Sequence, residues 1–70
     1  MPIVIAPLNT DLNIVKVMLD EKTKKHLQSL GIMVGGNLSI VSSNGGNVII
    51  IVKGVRLALN REVASKILVA

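Results

Sequence analysis

Apolar and polar residues alternate from Leu12 to Leu19, with Val15, Val17 and Leu19 on one face and Ile14, Lys16 and Met18 on the other. A period of two predicts a β-strand that ends at Asp20. Asp20 has the right side chain for a helix N-cap, and Glu21 places a negative charge near the positive end of the helix dipole. The pattern then changes to a helical one, with Thr23, Leu27 and Leu30 as the inward stripe and Glu21 and Lys25 spaced for an ion pair. Gly31 closes the helix through a left-handed conformation, and Ile32 is placed to touch Leu27 beyond it.

After Gly35-Gly36 the period of two returns. Leu38 and Ile40 alternate with Ser39 up to the segment Ser42-Ser43-Asn44-Gly45-Gly46-Asn47, whose Asn-Gly pair predicts a hairpin turn. The return strand, Asn47 to Lys53, is apolar on both faces, as expected of a central strand with core on one side and a covered or docking surface on the other. Gly54 breaks it. Val55, Leu57 and Leu59 alternate with Arg56 and Ala58, Asn60 caps a short helical turn through Ala64, and Ile67 to Val69 forms a last strand. Five short strands and one helix predict a mainly β fold, a small five-stranded barrel whose ends pair to remove sheet edges.

Composition narrows this further. A chain of 70 residues forms one domain, 1–70, with one core, and buries only about 60% of its unfolded surface. It has no cysteine for a disulfide or thiolate site, and no Phe, Tyr or Trp, so Val, Ile and Leu must build the interior. The longest branched apolar run, Val48 to Val52, is far short of the roughly 18–20 residues of a membrane-spanning helix. Pro2 to Pro7 is apolar but lacks a basic leader and is broken by proline, so it does not read as a secretory signal, and a cytoplasmic address follows. The net charge of +4 favours acidic partners. Nucleic acid is disfavoured, because single-strand binders stack bases on aromatic rings and this chain has only His26.

Candidate chemistry is sparse. The acids are Asp11, Asp20, Glu21 and Glu62, all at helix starts or turns, and a lone imidazole at His26 cannot make a metal site by itself. The glycines do not form a phosphate-binding loop. Arg56 could serve as an arginine finger on a partner's phosphate, beside its plainer roles of capping the barrel or pairing with a carboxylate. No catalytic, cofactor or metal residues are assigned, and the chain does not read as an enzyme. Proline-rich peptides need aromatic grooves, which leaves aliphatic docking through Ile49, Ile51, Met18 and Met33, unless these complete the core.

Leu27-Gln28-Ser29-Leu30-Gly31-Ile32, then Gly35, then Asn47 through Leu59 with its Gly54-Val55-Arg56-Leu57-Ala58-Leu59 segment, then Ala64 and Ile67-Leu68-Val69, together resemble the FeoA family. The match runs over roughly residues 7–70, and its most specific piece is the Gly-x-Arg-Leu-Ala-Leu segment placed after a helix ending in Leu-Gly. The resemblance implies an SH3-like barrel with the helix between its first two strands. It also implies an accessory or regulatory role in bacterial ferrous iron uptake, a setting of transition metal handling, and a partner, the membrane GTPase and iron permease FeoB. Val34 stands where the family often has proline, and the glycine usual before the first strand is missing from Leu8 to Leu12.

On this reading the docking face is the Asp20 to Leu30 helix with the adjoining rim, and Lys24, His26, Met33 and Arg56 are the expected contact residues. The alternative is an SH3-like accessory domain of a metal-dependent transcription regulator; a nucleic-acid binder comes third. Open apolar strands leave room for a homo-oligomer.

Overall fold

The computed structural model describes residues 1–70. Its elements are β1 (Leu12–Val17), α1 (Glu21–Ser29), β2 (Asn37–Asn44), β3 (Asn47–Val52), β4 (Val55–Leu59), α2 (Arg61–Ala64) and β5 (Ile67–Val69), preceded by a short 3-10 turn at Ile3–Ile5. The strands form one antiparallel sheet in the order β4-β3-β2-β1-β5, with α1 between the first two strands.

The strand faces follow the period-two pattern, with register shifts in β1 between Ile14 and Lys16 and in β2 between Ile40 and Ser42. Leu12, Ile14 and Val17 are buried and Val15 is exposed, so Ile14 and Val17, expected on opposite faces, share the interior. The cause is a register shift against β5 between Ile14 and Lys16: one extra residue inverts the phase of every side chain after it. The shift also divides β1 between its neighbours. Leu12 and Asn13 pair with β2, and Ile14 to Val17 pair with β5. The strand ends two residues earlier than its pattern suggests, at Val17 rather than Leu19.

Helix α1 begins and ends where the sequence predicts. The Asp20 carboxylate accepts from the Thr23 backbone N–H at 3.2 Å and from the Thr23 hydroxyl at 2.6 Å. At the other end the N–H of Ile32 donates to the Leu27 carbonyl at 2.9 Å and that of Gly31 to the Gln28 carbonyl at 3.0 Å, the paired bonds of a Schellman ending, with Gly31 at φ +97°. Two details differ from expectation. Glu21 pairs with Lys24, at 3.8 Å, rather than with Lys25, and both partners keep solvent contact. Leu30, expected inward, is exposed because it is the C-cap, and Ile32 takes the inward position after the turn.

The β2–β3 hairpin is longer than its polar sequence suggests. Pairing continues through Ser42 and Ser43 to Asn44 opposite Asn47. The central turn residues are therefore Gly45 and Gly46, at φ +62° and +88°, rather than an Asn-Gly pair. Lys53 and Gly54, at φ +51° and +78°, make a similar two-residue turn into β4. The Asn60 side chain accepts from the Val63 N–H at 2.9 Å and caps α2 as expected, while Asn47 reaches across from the hairpin to accept from the Arg61 N–H at 3.1 Å.

Fifteen aliphatic residues form one core cluster, drawn from every strand, from both helices, and from Ile3 and Ile32 outside them. No polar or charged residue is buried. The ends of the sheet do not pair with each other, contrary to the expected closure: β4 hydrogen-bonds only to β3, and the chain between β4 and β5 is taken up by α2. The N-terminus, to which the sequence reading assigned no strand or helix, covers the open side of β5. Val69 N–H donates to the Met1 carbonyl at 2.7 Å, Pro2 bridges Leu68, and Ile3 is 1% exposed.

Candidate docking site

The glycine-bounded segment Gly31–Gly36 sets the geometry of the groove beside α1. After the Schellman turn Ile32 points into the core, and the next two residues, Met33 and Val34, are turned outward. The segment is then fixed to β1: Gly35 N–H donates to the Ile14 carbonyl at 2.9 Å, Ile14 N–H donates to the Gly36 carbonyl at 2.8 Å, and Gly36 N–H closes back on the Met33 carbonyl at 2.9 Å. Between this segment, α1 and the end of β1 lies a groove of about 220 Å³ lined by Val17, Lys24, Gln28, Ile32, Met33 and Val34. Its floor is aliphatic and its rim carries one ammonium and one amide.

Of the lining residues Val34 is 61% exposed, and Met18 and Leu30, next along the chain to Val17 and Gly31, are exposed as well. Lys22 and Lys25 are exposed on the same helix as half-buried Lys24. Lys24 forms its ion pair with Glu21, while Lys22 and Lys25 are in no ion pair, so α1 carries an excess of positive charge beside an aliphatic depression. Such a surface accepts an apolar side chain and attracts carboxylates near it.

Of the expected contact residues, the structure brings Lys24 and Met33 together in this groove. His26 is exposed on α1 but does not line it. Arg56 stands elsewhere, on β4 opposite Ile51. Ile49 and Ile51, half-buried, lie on the outer face of β3, the side opposite Val48, Ile50 and Val52. Sequence reasoning did not pick out Val17, Gln28 and Val34 as lining residues. The available signal was the triplet Ile32-Met33-Val34, apolar yet too short and too enclosed by glycines for a strand or helix.

A second, larger groove of about 620 Å³ lies at the hairpin end, among Ser42, Asn44, Asn47, Val48, Ile49, Ala58, Leu59 and Asn60. The side-chain oxygens of Asn47 and Asn60 are committed there to N–H groups of α2, so these two of its polar residues serve the fold. Elsewhere the four acids are all exposed, and no three of His, Cys, Asp and Glu come together as a metal cage would require. No helix is long and apolar enough to cross a membrane.

Comparison with known proteins agrees with the architecture. The profile of the FeoA domain matches residues 1–70. Among solved structures, the chain superposes on the crystal structure of an iron uptake regulatory protein (FeoA) with a TM-score of 0.87 at 23% identity, covering 99% of this chain and 93% of that one. It superposes on the solution structure of the FeoA protein from Chlorobium tepidum with a TM-score of 0.84 at 18% identity, covering 99% of this chain and 68% of that one. For the solution structure of iron(II) transport protein A from Clostridium thermocellum the TM-score is 0.87 at 17% identity, with 99% of this chain and 44% of that one covered. No curated protein sequence matches significantly. At these identities the superpositions establish the SH3-like fold, and the family profile, which spans the whole chain, establishes membership: the chain belongs to the FeoA domain family.

Proposed function

We propose that this chain is an accessory and regulatory module of bacterial ferrous iron uptake that docks, from the cytoplasmic side, onto a FeoB-like membrane GTPase and iron permease. Family membership supports the pathway, as do the names of two structural neighbours, an iron uptake regulatory protein and an iron(II) transport protein. The observation that carries the docking mode is the α1 groove, where Met33 and Val34 are held out of the core beside Lys24. Its contacts are aliphatic at the centre and cationic at the rim, so it fits an aliphatic side chain flanked by acids on the larger protein. Docking there changes the partner's nucleotide cycle by favouring one of its conformations, with no chemistry supplied by this chain.

The test is a titration of isotope-labelled protein with the purified cytosolic GTPase domain, without nucleotide and with GDP or a GTP analogue. The expected result is a nucleotide-dependent set of amide shifts centred on Lys24, Gln28, Met33 and Val34. Absence of binding in every nucleotide state, or shifts confined to the hairpin end, overturns the reading.

A further inference from the structure

The two edges of the sheet are treated differently. The outer side of β5 is occupied by the chain's own N-terminus: the terminal amine donates to the Val69 carbonyl at 2.8 Å, Val69 N–H donates to the Met1 carbonyl, and Pro2 bridges Leu68. The outer side of β4 has no strand beside it. Natural sheets blunt such edges with proline, lysine or a bulge. Val55–Leu59 contains neither proline nor lysine, carries Arg56 as its one charge, and pairs with β3 without a register shift.

The Lys53-Gly54 turn determines which groups this edge presents. In a two-residue hairpin the closing pair, here Val52 and Val55, is hydrogen-bonded, and bonded pairs then alternate along the ladder. Leu57 and Leu59 therefore bond to Ile50 and Val48, whereas the N–H and C=O groups of Arg56 and Ala58 point away from β3.

The geometry points to a self-complementary edge: we propose that β4 pairs antiparallel with β4 of a second copy, about a two-fold axis at Leu57. In that register Arg56 lies opposite Ala58 of the second copy, and the two exchange both backbone bonds, so every group the edge leaves free is used. On the core-facing side Val55, 55% exposed, stands opposite Leu59 of the second copy, whose side chain is 8% exposed, and Leu57 stands opposite its equivalent. On the outer side small Ala58 leaves room for Arg56. Neighbouring registers are poorer. A slip one way sets Arg56 opposite Arg56, like charges face to face. A slip the other way sets Arg56 opposite Asn60, which has left the strand to cap α2.

A strand of five residues cannot supply the roughly 1,200 Å² that stable dimers bury, so the pairing is weak and concentration-dependent. The two arginines stand diagonally across it, and added salt relieves their repulsion and strengthens the dimer. This association is separate from the docking groove, whose lining residues take no part in it.

Sedimentation equilibrium from about 20 µM to about 1 mM, with amide exchange measured in parallel, tests the proposal. The expected result is a monomer–dimer equilibrium that tightens with salt, with exchange at Arg56 and Ala58 slowing as concentration rises. Ala58→Pro removes one outward donor while sparing the β3 ladder, and weakens the dimer roughly tenfold or more. Val55→Lys, at an exposed side chain, leaves the backbone intact and acts in the same direction. A protein monomeric at the highest concentration, a dimer in which the Arg56 and Ala58 amides still exchange freely, or a dimer indifferent to both substitutions overturns it.

Discussion

Gly31 and Val52 are in contact across the junction between the helix and the sheet, and a β-carbon placed on Gly31 would lie 2.8 Å from Val52 Cγ1. Two independent constraints therefore meet at one residue, since Gly31 also sits at φ +97° to close the Schellman turn. Gly35 separates them: it has φ +91°, but nothing lies within 4 Å of its missing β-carbon. Gly35→Ala is expected to cost only the left-handed conformation, about 1–2 kcal/mol. Gly31→Ala costs that and the displacement of Val52, and a larger shift in its denaturant midpoint than for Gly35→Ala is the measurement that checks the close contact.

The Asp20–Thr23 pair gives the domain an acid-sensitive helix start. The Thr23 hydroxyl first, and then the Thr23 backbone N–H, hold the Asp20 carboxyl below its ordinary value. A carboxyl depressed in the folded state contributes stability that is fully present above its unfolded pKa and is lost as pH falls through its folded pKa. Asp20→Asn keeps a capping side chain without the titration, so its stability profile should be flatter than wild type on the acid side. Thr23→Val should return the Asp20 pKa toward its ordinary value, read directly by NMR titration.

The inner and outer faces of β3 should respond very differently to trimming. Ile50 is fully buried among aliphatic neighbours, whereas Ile51, one residue on, is half-buried on the outer face. Ile50→Ala is expected to lose about 2–5 kcal/mol, a large share of the stability of a domain this small. Ile51→Ala should lose much less. Urea unfolding of the two variants compares them, and equal losses would mean that the outer face of β3 is covered in the folded protein.

What could be read from the chain beforehand was mostly local. Asp20, Gly31 and Asn60 specify their own neighbourhoods through hydrogen bonds a few residues long, and each cap appears where its sequence places it. The phase of β1 was not legible, because the irregularity near Val15 is imposed by pairing with β5, more than fifty residues away. Nor was the role of Ile3: a short apolar segment between prolines has no periodicity, and only the folded sheet supplies the edge and the core opening that it fills. The site divided along the same line. Exposure of Met33 followed from its local surroundings, but its convergence with half-buried Lys24 and with Val17 depends on the ties between Gly35, Gly36 and Ile14.

The α1 groove makes a prediction in which two substitutions act through different physics. Met33→Asp places a charge in the aliphatic depression and should weaken binding to the cytosolic GTPase domain about tenfold or more, mainly through faster dissociation. Lys24→Glu reverses the rim charge, and should slow association and reduce its dependence on salt, with a smaller effect on dissociation. Arg56→Glu lies on β4, outside the groove, and should leave both rate constants near wild type. Surface-plasmon kinetics at two ionic strengths separates these effects. Loss of binding with Arg56→Glu but not with Met33→Asp would move the docking face from the helix to the sheet edge, because no folding defect is expected from a charge exchange at an exposed strand position.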